Sequence, residues 1–269
     1  MATDLHLPTR RNFLATAAAA GAVSLVPSAL KAGETDMAIK DEIRPSMDAA
    51  QTPVHDLFLL DEVEGKATGS LAANDRQALR EVAGWTRTFI TQPNKDLGRP
   101  GPVCPFVPVA LEHKTLWLAP QRSAGRSTSE IVRLVQTYQR RLLDAQPVDG
   151  VGGDHKSMMI VFTDLPATKA KDFFDGVLKE IGTSSYADHG IVMGPFYEGN
   201  EGTAIYNANF RPFTSPVPSL LMRRAVLSDW KFFLNNEALF SLWARRYGES
   251  ATNALATELR RLPWQKAMN

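Results

Sequence analysis

At 269 residues, 44% hydrophobic and 22% charged, the chain is long enough to bury a substantial core and too apolar to be disordered. Its 30 Lys and Arg against 29 Asp and Glu leave a net charge of +1, which offers no electrostatic footprint for nucleic acid or an anionic membrane. One cysteine, Cys104, excludes an intramolecular disulfide, a zinc ribbon and any all-cysteine iron–sulfur site.

The N-terminus predicts a twin-arginine leader over residues 1–32. Thr9-Arg10-Arg11-Asn12-Phe13-Leu14 supplies the paired arginines, one polar residue and Phe-Leu; an uncharged, alanine-rich stretch follows to Val26, then a small-residue exit ending Ser28-Ala29-Leu30-Lys31-Ala32. A short membrane anchor is the competing reading, but so alanine-rich a segment gains little from transfer into lipid. The twin-arginine translocase is therefore an expected partner, the destination is periplasmic or extracellular, and no stable membrane span is expected once the leader is removed. The route carries folded proteins, which favours chains that acquire a cofactor before export.

Residues 33–70 read as a linker or entry segment with one short apolar run, Val54 to Leu60. From Asn74, Leu79, Val82, Ala83, Phe89 and Ile90 recur at helical spacing up to the stop at Pro93. The Gly/Pro-rich run Gly98 to Phe106 is a loop. Val107 to Leu111 and Thr115 to Ala119 read as a strand pair, and Ser127-Thr128-Ser129-Glu130 as a capping box opening a helix with Ile131, Leu134, Val135, Tyr138 and Leu142 inward. Asp149 to Asp154 is a connecting loop despite its glycines, since it follows a helix and opens a strand, the reverse of a dinucleotide fingerprint. Met158 to Thr163 is a buried strand; Pro166 opens a helix closed by Gly182; Gly190 to Tyr197 and Thr203 to Asn207 read as a second strand pair; Leu220 to Val226 is a further strand, and Asp229 to Pro263 is helical. Paired strands alternating with helices predict an α+β fold: a single domain over residues 71–269, with a mixed or antiparallel sheet, helices packed on it and a helical C-terminus.

No serine elbow, His-Glu-x-x-His or Cys-x-x-Cys motif is present, and Asp154-His155 and Asp188-His189 read as ordinary loop dipeptides. Cys104 precedes Pro105, an arrangement able to present sulfur to a heme iron, or simply a small residue filling a turn. Arg211, between Phe210 and Pro212, can clamp a substrate carboxylate or tie two loops together. Of Arg223 and Arg224 on the expected strand, one must point inward, where a buried guanidinium needs an anionic partner from protein or ligand.

The run Gly98-Arg99-Pro100-Gly101-Pro102-Val103-Cys104-Pro105-Phe106, with Gly194-Pro195-Phe196-Tyr197 and Phe210-Arg211-Pro212, resembles an uncharacterised bacterial domain family over about residues 74–248. The Pro/Cys/Phe turn is also similar to one in heme-dependent N-oxygenases of small amino acids, although their histidine ligand has no counterpart here. The domain family carries no settled function; the leader and its route, with the likeness to heme enzymes, lead to the expectation of an exported oxidoreductase, with heme as its candidate cofactor, acting on a small carboxylate-bearing molecule. In that reading Cys104 or His189 approaches a heme iron, Arg211 or the inward member of Arg223/Arg224 holds the carboxylate, and Phe106, Phe196 and Tyr197 wall the pocket. The rival expectations are a non-catalytic periplasmic binding or accessory protein that holds a small molecule or a partner's segment, and a cofactor-free hydrolase or isomerase.

Overall fold

A five-stranded mixed sheet organises the chain, in the order β1-β2-β3-β5-β4, with helices on both faces. The structure, a computed structural model, describes residues 56–261 except Glu64; the expected leader and the linker up to residue 55 lie outside the described residues, as does the chain beyond Arg261. β1 (Phe58–Leu59) pairs antiparallel with β2 (Leu116–Gln121), which runs parallel to β3 (Ser157–Phe162). β5 (Ser219–Arg224) lies antiparallel between β3 and β4 (Ile191–Phe196). The expected α+β class and helical C-terminus are what is found.

The helices are α1 (Ala73–Trp85, continued by a π-turn to Ile90), α2 (Phe106–Glu112), α3 (Thr128–Asp144), α4 (Gly150–His155), α5 (Ala167–His189), α6 (Glu237–Tyr247) and α7 (Glu249–Leu259). β3 is buried along its whole length, so its alternating side chains feed two cores. Met159 and Val161 join Leu79, Val82, Val107 and Ala110 of α1 and α2. Met158, Ile160 and Phe162 join Ile131, Val135, Phe174 and Val177 of α3 and α5. A smaller cluster around Tyr186, Phe233 and Trp243 seats α6 beside the end of α5. Among the described residues no helix is long and apolar enough to cross a membrane.

Several local expectations are corrected. Val107 to Leu111 is helical rather than a strand: Pro105 already has helical φ and ψ, −71° and −17°, and Pro108 falls in the first turn, where its missing N–H costs no bond. The helix after Pro166 runs through Gly182 and stops at Gly190, which has φ 62°; a Cβ there would lie 2.6 Å from Nη1 of Arg246. β4 pairs with β5, not with Thr203 to Asn207, which form a turn with an isolated bridge between Ala204 and Asn207. The helix expected over Asp229 to Pro263 is interrupted within its described part, up to Arg261: a 3-10 segment over Leu227–Phe232 comes first, Asn236 caps α6, and Gly248 separates α6 from α7. The Asp149 to Asp154 run, expected as a loop, is largely the single turn and a half of α4.

Candidate functional site

The end of the sheet where β3 begins and β5 finishes is polar. Ser157 stands opposite Arg223 in the ladder, and α2 and α4 close over this corner to leave a small cleft. Cys104, Phe106, Asp154, His155, Arg223 and Arg224 line it, and its volume of about 20 Å³ admits little more than a water or one small polar group.

Arg223 is held in place by the protein itself. Its Nη2 donates to Oδ1 of Asp229 at 2.6 Å and its Nη1 to Oδ2 at 3.0 Å and to the Arg224 carbonyl at 2.9 Å. The Asp229 side chain is 1% exposed and that of Arg223 16%, so the pair is effectively buried; Asp229 Oδ2 also accepts from the Val226 amide at 2.8 Å. Burial works against the charge on Arg223, but the carboxylate more than compensates and its pKa stands above the ordinary arginine value. On the cleft side the guanidinium lies 5.4 Å from the Phe106 ring centre. The anionic partner that a buried arginine requires is thus supplied by Asp229. These three bonds leave part of a five-hydrogen fork unspent.

Arg224 is less committed. Its Nη1 reaches the Val148 carbonyl at 3.3 Å and Asp154 Oδ1 only at 3.9 Å. Lys156 lies behind it, fully buried, with Nζ donating to the Leu143 and Ala145 carbonyls at 2.9 and 2.8 Å; the ammonium thereby caps the C-terminus of α3. Burial first, and Arg224 second, lower its pKa. His155 bonds through Nδ1 to the Val151 carbonyl at 2.8 Å, and Nε2 is the nitrogen without a hydrogen-bond partner among the described residues; its ring lies 5.7 Å from Phe106. Cys104, a half-buried free thiol, is positioned by its amide, which donates to the Ile90 carbonyl at 3.0 Å. The preceding loop is braced by Arg99, whose guanidinium reaches the Pro100 and Val103 carbonyls at 3.0 Å each.

Four of the eight residues expected from sequence therefore meet: Cys104, Phe106, Arg223 and Arg224. The others stand elsewhere. Arg211 is exposed and donates to the Ala208 carbonyl at 2.5 Å, within its own turn. Phe196 is core, edge-on to Trp85 and Phe213 at 5.6 Å. Tyr197 stacks on Phe174 at 6.0 Å. His189 is exposed at the end of α5 and does not line the cleft with Cys104. A site of this volume has no slot for a porphyrin, and the two residues expected to approach a heme iron do not share it. Among the described residues no group of three or more His, Cys, Asp or Glu is placed to hold a metal.

Sequence reasoning missed Asp154, His155 and Asp229. The first two look like a loop dipeptide until α4 folds. Asp229 had a signal: it is the only acid between Glu201 and Glu237, and so the nearest downstream partner for a buried arginine.

No curated protein matches this chain, and no solved structure does. A family model described as a domain of unknown function, DUF6875, matches residues 79–258. The cleft-forming loop, α2, α4 and β5 all fall inside that span, and the chain belongs to the DUF6875 family.

Proposed function

We propose that the cleft binds the carboxylate of a small metabolite and presents the Cys104 thiol to it, and that the chain acts on that molecule as an exported oxidoreductase. What carries the reading is the convergence of two arginines with unspent guanidinium hydrogens, His155 and the chain's one cysteine in a single cleft. Arginine suits a carboxylate because its planar fork matches two oxygens at once. Among the groups lining the cleft, the thiol is the one that readily changes oxidation state, which links an anion site to redox chemistry. His155 Nε2 is available to move a proton at that edge.

Export rests on the Arg10-Arg11 leader. A chain with both arginines replaced by Lys is expected to remain unexported and uncleaved; normal delivery of that variant overturns the route.

The site is tested by alkylation. A thiolate attacks iodoacetate or iodoacetamide at the CH₂ carbon, iodide leaves, and a C–S bond forms. An ordinary thiolate repels the anionic reagent, so iodoacetamide reacts faster. Here iodoacetate is expected to modify Cys104 faster, acetate to protect it, and Arg224→Gln to restore the ordinary order. Faster reaction with iodoacetamide in the wild type, with no protection by acetate, overturns the carboxylate site.

The small volume of the cleft favours a second reading, a binding or accessory protein that holds its ligand without turnover. Cys104→Ser separates the two: it keeps carboxylate affinity under both and abolishes ligand oxidation or reduction only under the first.

A further inference from the structure

We propose that the ligand is an amphiphilic carboxylate, whose head meets Arg224 in the cleft and whose apolar tail lies across Val148 and Val151. The inference rests on the carboxylate reading above and names the class of molecule it takes. Its first ground is size. A volume of about 20 Å³ accommodates little beyond the head group, whereas sites that enclose a metabolite run to ~300–1,000 Å³. The body of the ligand must therefore lie outside, and the chemistry of the rim decides what it is.

That rim is apolar where it borders the cations. Val148 is 37% exposed and Val151 55%, and each is one hydrogen bond from the cleft: the Val148 carbonyl accepts from Arg224 and the Val151 carbonyl from His155. The segment that carries both valines is folded tightly on itself. A Cβ on buried Gly153 would stand 2.5 Å from the Val148 carbonyl oxygen, so only glycine lets α4 close against residue 148. The two exposed valines are thus carried on a closely packed backbone that borders the cleft before any ligand arrives, which reduces the ordering cost of docking.

Charge around the head is favourable on balance. Arg223 is neutralised by Asp229 and Arg224 only loosely by Asp154, while Lys156 adds a buried positive charge behind the strand. Asp154, two-thirds exposed at the mouth, competes with the ligand for Arg224, and Asp144 and Asp149 offset part of the Lys156 charge.

The experiment titrates the full chain with acetate, butyrate, hexanoate and octanoate below micelle-forming concentrations, with 1-octanol as the uncharged control. Protection of Cys104 from iodoacetamide reports occupancy. Full burial of a methylene strengthens binding ~4-fold, and a tail lying on an open surface is expected to gain about 2-fold for each one. Octanoate should therefore protect at a far lower concentration than acetate, and octanol should protect weakly. Val148→Ser and Val151→Ser, exposed positions whose substitution leaves the melting temperature close to that of the wild type, should flatten the chain-length series while acetate protects as before. Equal protection by acetate and octanoate, or a series unchanged in both valine variants, overturns the tail assignment and leaves the carboxylate site standing. Failure of every carboxylate to protect Cys104 overturns both.

Discussion

Arg223 brings a charge to a place where the surrounding strands cannot solvate it, and Asp229 is the residue that makes this tolerable. The carboxylate accepts two guanidinium bonds and the Val226 amide, so its truncation strands both a buried cation and a backbone donor. Breaking a buried pair by removing one member costs ~3–5 kcal/mol, so Asp229→Ala should lower the denaturant midpoint severely. Replacing both partners with apolar residues, Arg223→Met with Asp229→Leu, should recover most of that loss, because neither charge is then left alone. A double variant as unstable as Asp229→Ala would show that the pair contributes through its geometry rather than through mutual neutralisation. The same residues show what sequence can and cannot reveal about a site. A pair of adjacent arginines on an apolar strand announces that an anion must be near. Which anion it is depends on a turn after β5 that carries no motif, and the half of the site contributed by α4 depends on a six-residue helix whose glycines read as a loop.

At the scale of elements, legibility follows whether the signal is local. α3 was legible at its start because its capping box is complete in four residues: the Ser127 amide and hydroxyl both reach Glu130 Oε2 at 2.7 Å, and the Glu130 amide returns to Ser127 Oγ at 3.3 Å. β3 was legible because a short, wholly apolar run bounded by polar residues suits a strand buried on both faces. α2 was not, since five apolar residues around a proline fit either structure and only the position of that proline in the first turn decides. β4 is legible as a strand but its pairing with β5 is not, because strand pairing is a long-range property that periodicity does not encode. The capping box also carries a pH dependence. Its hydrogen bonds from Ser127, the backbone one first, hold the Glu130 carboxyl below its ordinary value of 4.5. A depressed folded value means that the contribution is complete above the unfolded pKa and disappears as pH falls through the folded one. Asp164 acts in the same direction: burial would raise its pKa, but the Ser123 and Ala124 amides and the Ser123 hydroxyl outweigh it. The melting temperature of Glu130→Gln should thus lie below that of the wild type at neutral pH, and the gap should close as the solution is acidified below 4.5. A gap that stays constant down to pH 2 would mean that the ionised carboxylate is not what caps α3.

For the molecule as a whole, the sheet is sealed at one edge by a strand of only two residues, drawn from the stretch that reads as a linker. β1 contributes Phe58 to the core, and Leu60 and Val63 follow it inward. So short an edge limits the backbone open to pairing with another chain, but two ladder positions cannot hold the segment by themselves. To the burial of Phe58, Leu60 and Val63, Asp56 adds a polar fastening. It accepts the Tyr138 hydroxyl on one oxygen and Nη1 of Arg141 at 2.7 Å on the other, while Gln121 Nε2 donates to the same hydroxyl at 2.6 Å. One carboxylate therefore links the entry of the domain to α3 and to the end of β2. Burial, and then the bond to Asp56, push the Tyr138 pKa well above the ordinary tyrosine value, so the hydroxyl stays a donor across the physiological range. Hydrogen bonds to a charged group contribute ~1.5–3 kcal/mol, so Asp56→Ala should lower the cost of opening β1 by about that amount. Hydrogen exchange is the measurement that separates this local effect from a global one. The amides of residues 58–60 should exchange roughly ten- to a hundredfold faster, since each 1.4 kcal/mol is a factor of ten, while those of β3 change little. Equal acceleration in β1 and β3 would mean instead that the edge opens only when the whole sheet does, and that Asp56 stabilises the global fold rather than fastening its entry.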